Sequence, residues 1–306
     1  MTIKLVAQSI SRFYFRPAPG KPVVVACDAE KAELARALVI ETESQGHPSI
    51  LALLEGETPA LQQALVRLLE TDSIALAVFA SHRMWTELKL MQRLTFRNRQ
   101  PSLQGKPDPI FFDAVTPLDS LQRLYRANPA SIRKFVDGLK RNLPDHRPVH
   151  LTNNAGTKLK FTPRNWEPWG WELMTCPVEG SIEGKIVVDG GVFFDRLSQP
   201  IELNIKKGKL AGISCQDAGD AVFRQYRQWM MEALEANPTN AQLCEVGLGA
   251  NPEAQLSQVV MESEAVQGTA HFCFGDNTQF AGMGGQNQTG WHGGTVIIQT
   301  PHLKLI

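Results

Sequence analysis

Four residues in the second half of the sequence have side chains that could bind a metal ion. They are two carboxylates and two imidazoles, Glu172, Glu245, His271 and His292. Two imidazoles with two carboxylates are a common set of donors for zinc, iron, cobalt or manganese. Three of the four have glycine neighbours, which allow a backbone to approach a ligand closely. No HExxH or other local pair is present, so the spacing alone does not show that the four converge.

Each of these side chains also has an ordinary structural interpretation. Glu172 in WGWEL could be an exposed strand residue, and Glu245 in LCEVGLGANP could hydrogen-bond a turn. His271 has apolar neighbours, as buried structural histidines have, and His292 lies in a glycine-rich segment typical of surface loops. The metal interpretation therefore requires that the fold bring the four side chains together.

The first half of the chain alternates apolar strands with amphipathic helices. Strands are predicted at 22–27, 49–54 and 74–79, and helices at 29–46 and 58–69. Asp28 is the expected N-cap of the first of these helices, and Gly46 is its expected end. Strands that are apolar on both faces, alternating with helices, predict a small doubly wound parallel sheet that is covered on both sides. No phosphate-binding glycine motif follows a strand, so a nucleotide site has no support.

The second half has short strands joined by tight turns. Strands are predicted at 150–152, 157–161, 185–189, 200–205, 210–214, 268–274 and 294–298, with one helix at about 217–235. Gly208 is expected in a left-handed hairpin turn. This pattern predicts an α+β domain with mostly antiparallel strands. We therefore expect an α/β domain at 1–148 and an α+β domain, which carries the site, at 149–306.

The composition limits the possible partners and the expected location. The 31 Lys and Arg residues balance the 31 Asp and Glu residues, so we expect neither nucleic acid nor an anionic membrane as a partner. We interpret Arg93, Arg97 and Arg99 as one solvated helix face. The five cysteines are scattered and form no CxxC pair, a pattern typical of reduced thiols. With no secretory signal or membrane span in the sequence, we expect a cytoplasmic protein.

Six segments, in the same order, resemble those of the aminopeptidase T family of metallopeptidases and of its iron-dependent relatives that open dihydroxypyridine rings. They are AEKAELARALVIETESQG at 29–46, LTNNAGTKLKF at 151–161, WELMTCPVEGSIEG at 171–184, EVGLGANP at 245–252, EAVQGTAHFCFG at 264–275 and GGQNQTGWHGG at 284–294. The resemblance implies an aminopeptidase T-like fold and a homodimer.

The resemblance also implies roles for individual residues. It implies metal ligands at Glu172, Glu245, His271 and His292. From the residues themselves we expect Glu264 to act as a catalytic general base where it faces a metal-bound water, and Trp169, Trp171 and Asn287 to contact the substrate. The cofactor implied is a divalent metal, namely zinc, cobalt, manganese or iron, with one ion bound or none.

Three positions depart from the pattern of the peptidases. Gly294 replaces an aspartate ligand, Thr278 replaces a tyrosine, and Lys158 replaces the aspartate of a GTDL motif. Loss of the ligand aspartate should weaken a second metal most, unless Asp276 or Glu264 replaces it.

Three functions are consistent with these features. The first is a metal-dependent hydrolase of aminopeptidase type that acts on short peptides. The alternative is an inactive peptide-binding protein that presents a precursor peptide in natural-product biosynthesis. Trp166, Trp169 and Trp171 would suit such a peptide groove, although they could equally fill a core. The third is a non-haem iron ring-opening dioxygenase, in which Glu245 and the two histidines would supply a two-histidine-one-carboxylate set.

Overall fold

The computed structural model describes residues 2–15, 17–53, 74–80, 110–114, 117–193, 195–278 and 283–305. The predicted helix at 58–69 and the three arginines at 93, 97 and 99 lie outside these ranges. The chain divides into two compact units, Met1–Pro129 and Ala130–Ile306. Within the described ranges, no helix is long and apolar enough to cross a membrane.

The first unit contains a four-stranded parallel sheet with the strand order β2-β1-β3-β4. Its strands are β1 (Val23–Cys27), β2 (Ser49–Leu53), β3 (Ala75–Ala80) and β4 (Ile110–Ala114). Its described helices are α1 (Ile3–Ser9), continued by a π-helical turn (Ile10–Tyr14), α2 (Ala32–Ser44) and α3 (Leu118–Leu124). The predicted parallel sheet is confirmed.

Local signals explain how α2 begins and ends. The Asp28 carboxylate accepts a hydrogen bond from the backbone N–H of Lys31 at 3.3 Å, at the start of the 3-10 turn Ala29–Lys31 that leads into α2. Gly46, with φ +87°, follows the end of the helix. Strand β2 lies at an edge of this sheet, and its Ile50 is 62% exposed.

The second unit is α+β with two antiparallel sheets, as predicted. One sheet has the order β13-β12-β9-β6-β5-β17, and the other has the order β11-β10-β16-β15-β14-β8-β7. The strands of the first sheet are β5 (Val149–Thr152), β6 (Lys158–Phe161), β9 (Glu183–Val188), β12 (Ile201–Lys206), β13 (Lys209–Cys215) and β17 (His302–Leu305). Gly208, with φ +79°, lies in the turn between β12 and β13.

The other sheet of the second unit has seven strands. Its strands are β7 (Pro163–Trp169), β8 (Glu172–Pro177), β10 (Gly191–Val192), β11 (Asp195–Arg196), β14 (Leu243–Gly249), β15 (Thr269–Gly275) and β16 (His292–Gln299). The accompanying helices are α4 (Pro129–Asn142), which starts at the unit boundary, α5 (Ala221–Ala236) and α6 (Val260–Ala265). The hydroxyl of Tyr226 on α5 donates a hydrogen bond to the Gly294 carbonyl at 3.0 Å and so ties α5 to β16.

Strand β14 is not among the strands predicted from the sequence. By its local pattern Glu245 in LCEVGLGANP could hydrogen-bond a turn, yet Leu243–Gly249 is a strand buried along its whole length between β15 and β8. Its glycines are needed because other groups of the protein approach the strand closely at those positions.

Candidate metal centre

The structure brings the four predicted ligands together on four neighbouring strands of the seven-stranded sheet. Glu172 begins β8, Glu245 lies in β14, His271 lies in β15 and His292 begins β16. These strands are adjacent, in the order β16, β15, β14, β8. Residues that are distant in the sequence thus become neighbours because each one belongs to a strand paired with the next.

Glycines lie opposite these side chains in the strand register. Gly247 pairs with His271, and Gly249 pairs with Glu172. Paired residues of neighbouring strands point to the same face of a sheet, so a side chain at either position would compete for the space of the site. A Cβ atom at position 247 would collide with the imidazole of His271 and would lie 2.8 Å from Glu172 Oε2. Gly247 therefore leaves the space in which the imidazole lies.

The four side chains form a continuous series of polar contacts. Glu172 Oε2 lies 3.2 Å from His271 Nε2, and the same nitrogen lies 3.0 Å from Glu245 Oε1. The other oxygen of Glu245, Oε2, lies 3.1 Å from His292 Nε2. Glu245 is thus the central residue, with one imidazole at each of its oxygens.

The electrostatics of the site reflect carboxylates and imidazoles buried side by side. Burial raises the pKa of Glu172 to about 8. Burial would also raise the pKa of Glu245, but hydrogen bonds from His271 and His292 lower it to about 2. Burial opposes protonation of His271, yet the carboxylates of Glu172, Glu264 and Glu245 raise its pKa to about 10. Three carboxylates against two imidazoles make this a favourable environment for a cation.

His292 is oriented by the loop that precedes it. Its Nδ1–H donates a hydrogen bond to the backbone carbonyl of Asp276 at 2.8 Å, which leaves Nε2 directed at Glu245. The Asp276 carboxylate accepts hydrogen bonds from the backbone N–H groups of Thr278, Thr289 and Gly290. Asp276 therefore closes the loop and aims His292, and its carboxylate does not replace the missing aspartate ligand.

Asn287 also holds this loop. Its backbone N–H donates to Asn277 Oδ1 at 2.7 Å, and its side-chain amide donates to the carbonyls of Gly275 and Thr239. These contacts give Asn287 a structural role. The substrate contact expected for this residue stays a prediction.

Glu264 approaches the site from α6. Its half-buried carboxylate interacts with His271, Glu245 and His292 and accepts a hydrogen bond from Thr295. Burial raises the pKa of Glu264, and the neighbouring imidazoles lower it in part. The position is suitable for a general base beside the metal ligands, a role that stays a prediction.

The tryptophans of the second unit have different environments. Trp169 pairs with Glu172 across the β7–β8 hairpin, so the two side chains share a face. The half-buried Trp169 also packs against Met174, Cys176 and Met283. Trp171, in the hairpin turn, is half-buried. In contrast, Trp166 is fully buried in an edge-to-face contact with Phe161, so the core interpretation is correct for that residue.

Gly294 cannot supply the missing ligand, and the space beside it is filled. Its φ of +66° is a left-handed conformation that side chains rarely adopt. A Cβ atom there would lie 2.6 Å from Met230 Sδ and 3.2 Å from the ring of Phe274. Lys158, another of the three departures from the peptidase pattern, is exposed on β6 of the six-stranded sheet.

Two residues beside the site are not singled out by the sequence analysis. Gly247 lies in a glycine-rich segment that indicates close backbone approach, but only the strand register shows that His271 lies opposite it. Cys273 is treated there as one scattered thiol, yet its Sγ lies within 4.8 Å of ligand atoms of Glu245 and His292.

Comparison with known proteins supports this description of the fold. The structure of the 2,5-dihydroxypyridine dioxygenase from Pseudomonas putida KT2440 has a TM-score of 0.66 and 18% identity, covering 99% of this chain and 93% of that chain. AmpT from Thermus thermophilus has a TM-score of 0.69 and 13% identity, covering 98% of this chain and 94% of that chain. No curated protein sequence matches. The aminopeptidase T-like fold is thus confirmed.

The family, however, is named for a different chemistry from that of the peptidases. The family described as NicX: 2,5-dihydroxypyridine 5,6-dioxygenase matches residues 20–296 of the chain. This match includes all four predicted ligands and most of both units. The chain belongs to the NicX family, described as 2,5-dihydroxypyridine 5,6-dioxygenase.

Proposed function

We propose that this protein is a non-haem iron dioxygenase that opens the ring of a dihydroxylated pyridine or a close aromatic relative. The sequence analysis places a peptide hydrolase first, and the family match reverses that order. The structural observation that carries the proposal is the buried group of Glu172, Glu245 and His271, whose ligand atoms lie within 4.8 Å of one another. Peptide hydrolysis and peptide presentation are supported only by the fold shared with AmpT.

The donors of this group are suitable for iron. His271 Nε2 is hydrogen-bonded to Glu245 Oε1, and Glu172 Oε2 is buried with no hydrogen-bond partner among the described residues. Such an unsatisfied buried acceptor costs about 1–3 kcal/mol, which a bound cation would offset. Imidazole suits iron, and this group offers one imidazole and two carboxylates, whereas the common set of iron oxygenases has two imidazoles and one carboxylate. Glu172, Glu245 and His271 would therefore hold the ion.

Other residues of this chain would transfer the proton, bind the aromatic ring and position the ligands. Iron(II), when bound, would supply the centre at which dioxygen and the hydroxylated ring react. Glu264 would take the proton from a ring hydroxyl, since burial raises its pKa toward the range of an effective base. Trp169, on the same face as Glu172, would stack against the aromatic ring. His292 would keep the central carboxylate of Glu245 in place through its contact at 3.1 Å.

Oxygen uptake tests this proposal. The purified protein would be loaded anaerobically with iron(II), and oxygen consumption would be followed after addition of 2,5-dihydroxypyridine, together with loss of the ring absorbance. We expect turnover by the wild type and a rate at least about 100-fold lower in His271→Ala. His302→Ala, which alters an exposed histidine on β17, should keep the wild-type rate. An iron-loaded wild type that cleaves short peptides and consumes no oxygen would contradict the proposal.

A further inference from the structure

One face of the six-stranded sheet is open to solvent and is rich in lysine. Burial alternates along β5, β6 and β12, so every second side chain of these strands points away from the core. The strands of this sheet and the turn between β12 and β13 carry seven lysines but only two glutamates. The lysines are Lys158, Lys160, Lys185, Lys206, Lys207, Lys209 and Lys304, and the glutamates are Glu183 and Glu202. We call this surface the lysine face.

The strand register places lysines of the lysine face side by side. Lys158 on β6 pairs with Lys185 on β9, and Lys206 pairs with Lys209 across the β12–β13 turn. Paired residues point to the same face of a sheet, and like charges directly opposite each other are destabilising. This arrangement therefore costs the fold stability, although the chain as a whole has balanced charges.

The two glutamates neutralise only part of this charge. Glu202 Oε2 lies 2.6 Å from Lys185 Nζ, and Glu183 Oε1 accepts a hydrogen bond from the backbone N–H of Lys207 at 2.8 Å. Within the described residues, Lys185 is the one lysine of this face that forms an ion pair. Lys158 also replaces an aspartate of the peptidase pattern, so the charge at that position is reversed in this chain. A local positive field remains over the face.

From this arrangement we propose that the lysine face is a docking surface for an acidic, extended polypeptide segment of a partner protein. Six strands at a spacing of about 4.8 Å give the face a length of about 24 Å, which an extended segment of about seven residues would span. Each lysine presents a flexible ammonium group that pairs with a single carboxylate. Charge complementarity thus selects a run of aspartates and glutamates, and this docking does not depend on the proposed ring-opening activity.

The composition of the lysine face favours a polypeptide over the other polyanions. Among the described residues, no arginine and no phenylalanine, tyrosine or tryptophan is exposed on this face of the sheet. Arginine would bind phosphates in a bidentate way, and aromatic rings would stack on unpaired bases. The exposed side chains of the face are polar, so it also lacks the apolar anchor of a membrane-binding surface.

Fluorescence anisotropy of a fluorescein-labelled octaglutamate peptide, titrated with the full-length protein, tests the docking surface. We expect saturable binding at about 0.02 M salt that weakens at least about tenfold at about 0.3 M, because exposed charges are screened. Lys158→Glu combined with Lys160→Glu should weaken binding at least about tenfold. Arg133→Glu combined with Lys134→Glu alters exposed residues of α4, outside the sheet, by the same net charge and should keep the wild-type affinity.

Thermal unfolding distinguishes loss of the docking charge from loss of the fold. Because Lys158 lies opposite Lys185, glutamate at position 158 would replace a repulsion by an attraction. We therefore expect the glutamate double variant to unfold at no lower temperature than the wild type. Lys158→Gln combined with Lys160→Gln is a second variant, which removes the charge without reversing it and should weaken binding to a smaller extent.

Several outcomes would overturn the inference. These are no saturable binding of octaglutamate by the wild type, equal binding by the Lys158→Glu, Lys160→Glu variant, or an equal loss in the α4 control. Tighter binding of a labelled octathymidylate would identify the surface as a nucleic acid site instead. Binding to vesicles of phosphatidylserine and phosphatidylcholine, without binding of octaglutamate, would identify it as a membrane contact.

Discussion

At the scale of single residues, the site depends on the absence of a side chain as much as on the donors. The imidazole of His271 lies over Gly247, between the carboxylates of Glu172 and Glu245. A glycine in mid-strand is normally unfavourable, because its backbone is freer in the unfolded chain and it has no side chain to pack. Here it leaves the space that the imidazole of His271 occupies.

Gly247→Ala should therefore disrupt the metal site more than the fold. The new methyl group would displace His271 and crowd Glu172, whose Oε2 is 2.8 Å from the Cβ position, at a cost of about 1–3 kcal/mol. We expect metal affinity to fall at least about tenfold, as measured by calorimetric titration. Gly212→Ala on β13 is the control, because nothing lies within 4 Å of its Cβ position. Equal affinity in the two variants would contradict this account.

The sequence predicts the chemistry of these residues better than their arrangement. The donor types at Glu172, Glu245, His271 and His292 are visible in the sequence, and the resemblance adds their grouping. Which residue lies opposite another depends on strand register, which the local pattern does not specify. The positions of Gly247 and Cys273 beside these donors could therefore be found only from the structure.

At the scale of elements, the loop between β15 and β16 is fastened to the sheet by a polar network. Glu179 pairs with Arg164 and accepts a hydrogen bond from the side-chain amide of Asn277 at 2.9 Å. Asn277 Oδ1 in turn accepts from the backbone of Asn287. Because the same loop places the Asp276 carbonyl against His292, the network supports the orientation of that imidazole.

Glu179→Gln should loosen this network in a pH-dependent way. Burial would raise the pKa of Glu179, but hydrogen bonds from Arg164 and Asn277 hold it below its ordinary value of 4.5. A depressed carboxyl pKa stabilises the fold above the ordinary value and ceases to do so as the pH falls through the depressed one. We expect the variant to lose about 1–3 kcal/mol of unfolding free energy at neutral pH and much less near pH 3.

Denaturant unfolding at the two pH values would measure this difference. Glu202→Gln is the matched control, since Glu202 forms a more exposed ion pair with Lys185 at 2.6 Å. Exposed pairs contribute about 0–1 kcal/mol, so this variant should change little. A loss in Glu179→Gln that is the same at both pH values would show that the ion pair is not its cause.

Restoring the aspartate of the peptidases at position 294 should fail. Gly294→Asp would combine left-handed backbone strain with a contact of 2.6 Å to Met230 Sδ. We expect a loss of about 2–4 kcal/mol of stability in thermal unfolding and no gain in metal affinity. Gly268→Asp measures the backbone strain without the steric contact. Gly268 has φ +85°, but nothing lies within 4 Å of its Cβ position. A more stable Gly294→Asp with tighter metal binding would be contrary to this prediction.

Elements with a clear hydrophobic period are predictable from the sequence, and elements shaped by the site are not. The strands at β1 and β3 and the helix α2 follow from apolar runs and capping residues. Strand β14 was missed because Gly247 and Gly249 lower its strand propensity while packing against His271 and the Val266 carbonyl. Strand propensity and hydrophobic periodicity therefore do not predict the strand that carries Glu245.

At the scale of the whole molecule, one fold serves different chemistries. The chain is similar in structure both to AmpT and to a dihydroxypyridine dioxygenase, and its family is that of the dioxygenase. Fold similarity therefore could not decide between hydrolysis and ring opening. The homodimer that the resemblance implies also stays a prediction.

Glu245, with one imidazole at each of its oxygens, is predicted to be the central ligand of a metal centre on the seven-stranded sheet. The most direct test is the metal content of the wild type, Glu245→Gln and Glu202→Gln, measured by mass spectrometry after incubation with iron(II) or cobalt and removal of unbound ions. We predict that the wild type and Glu202→Gln keep at least about one equivalent of metal and that Glu245→Gln keeps almost none. Equal metal content in Glu245→Gln and the wild type, or none in any of the three, would contradict the account.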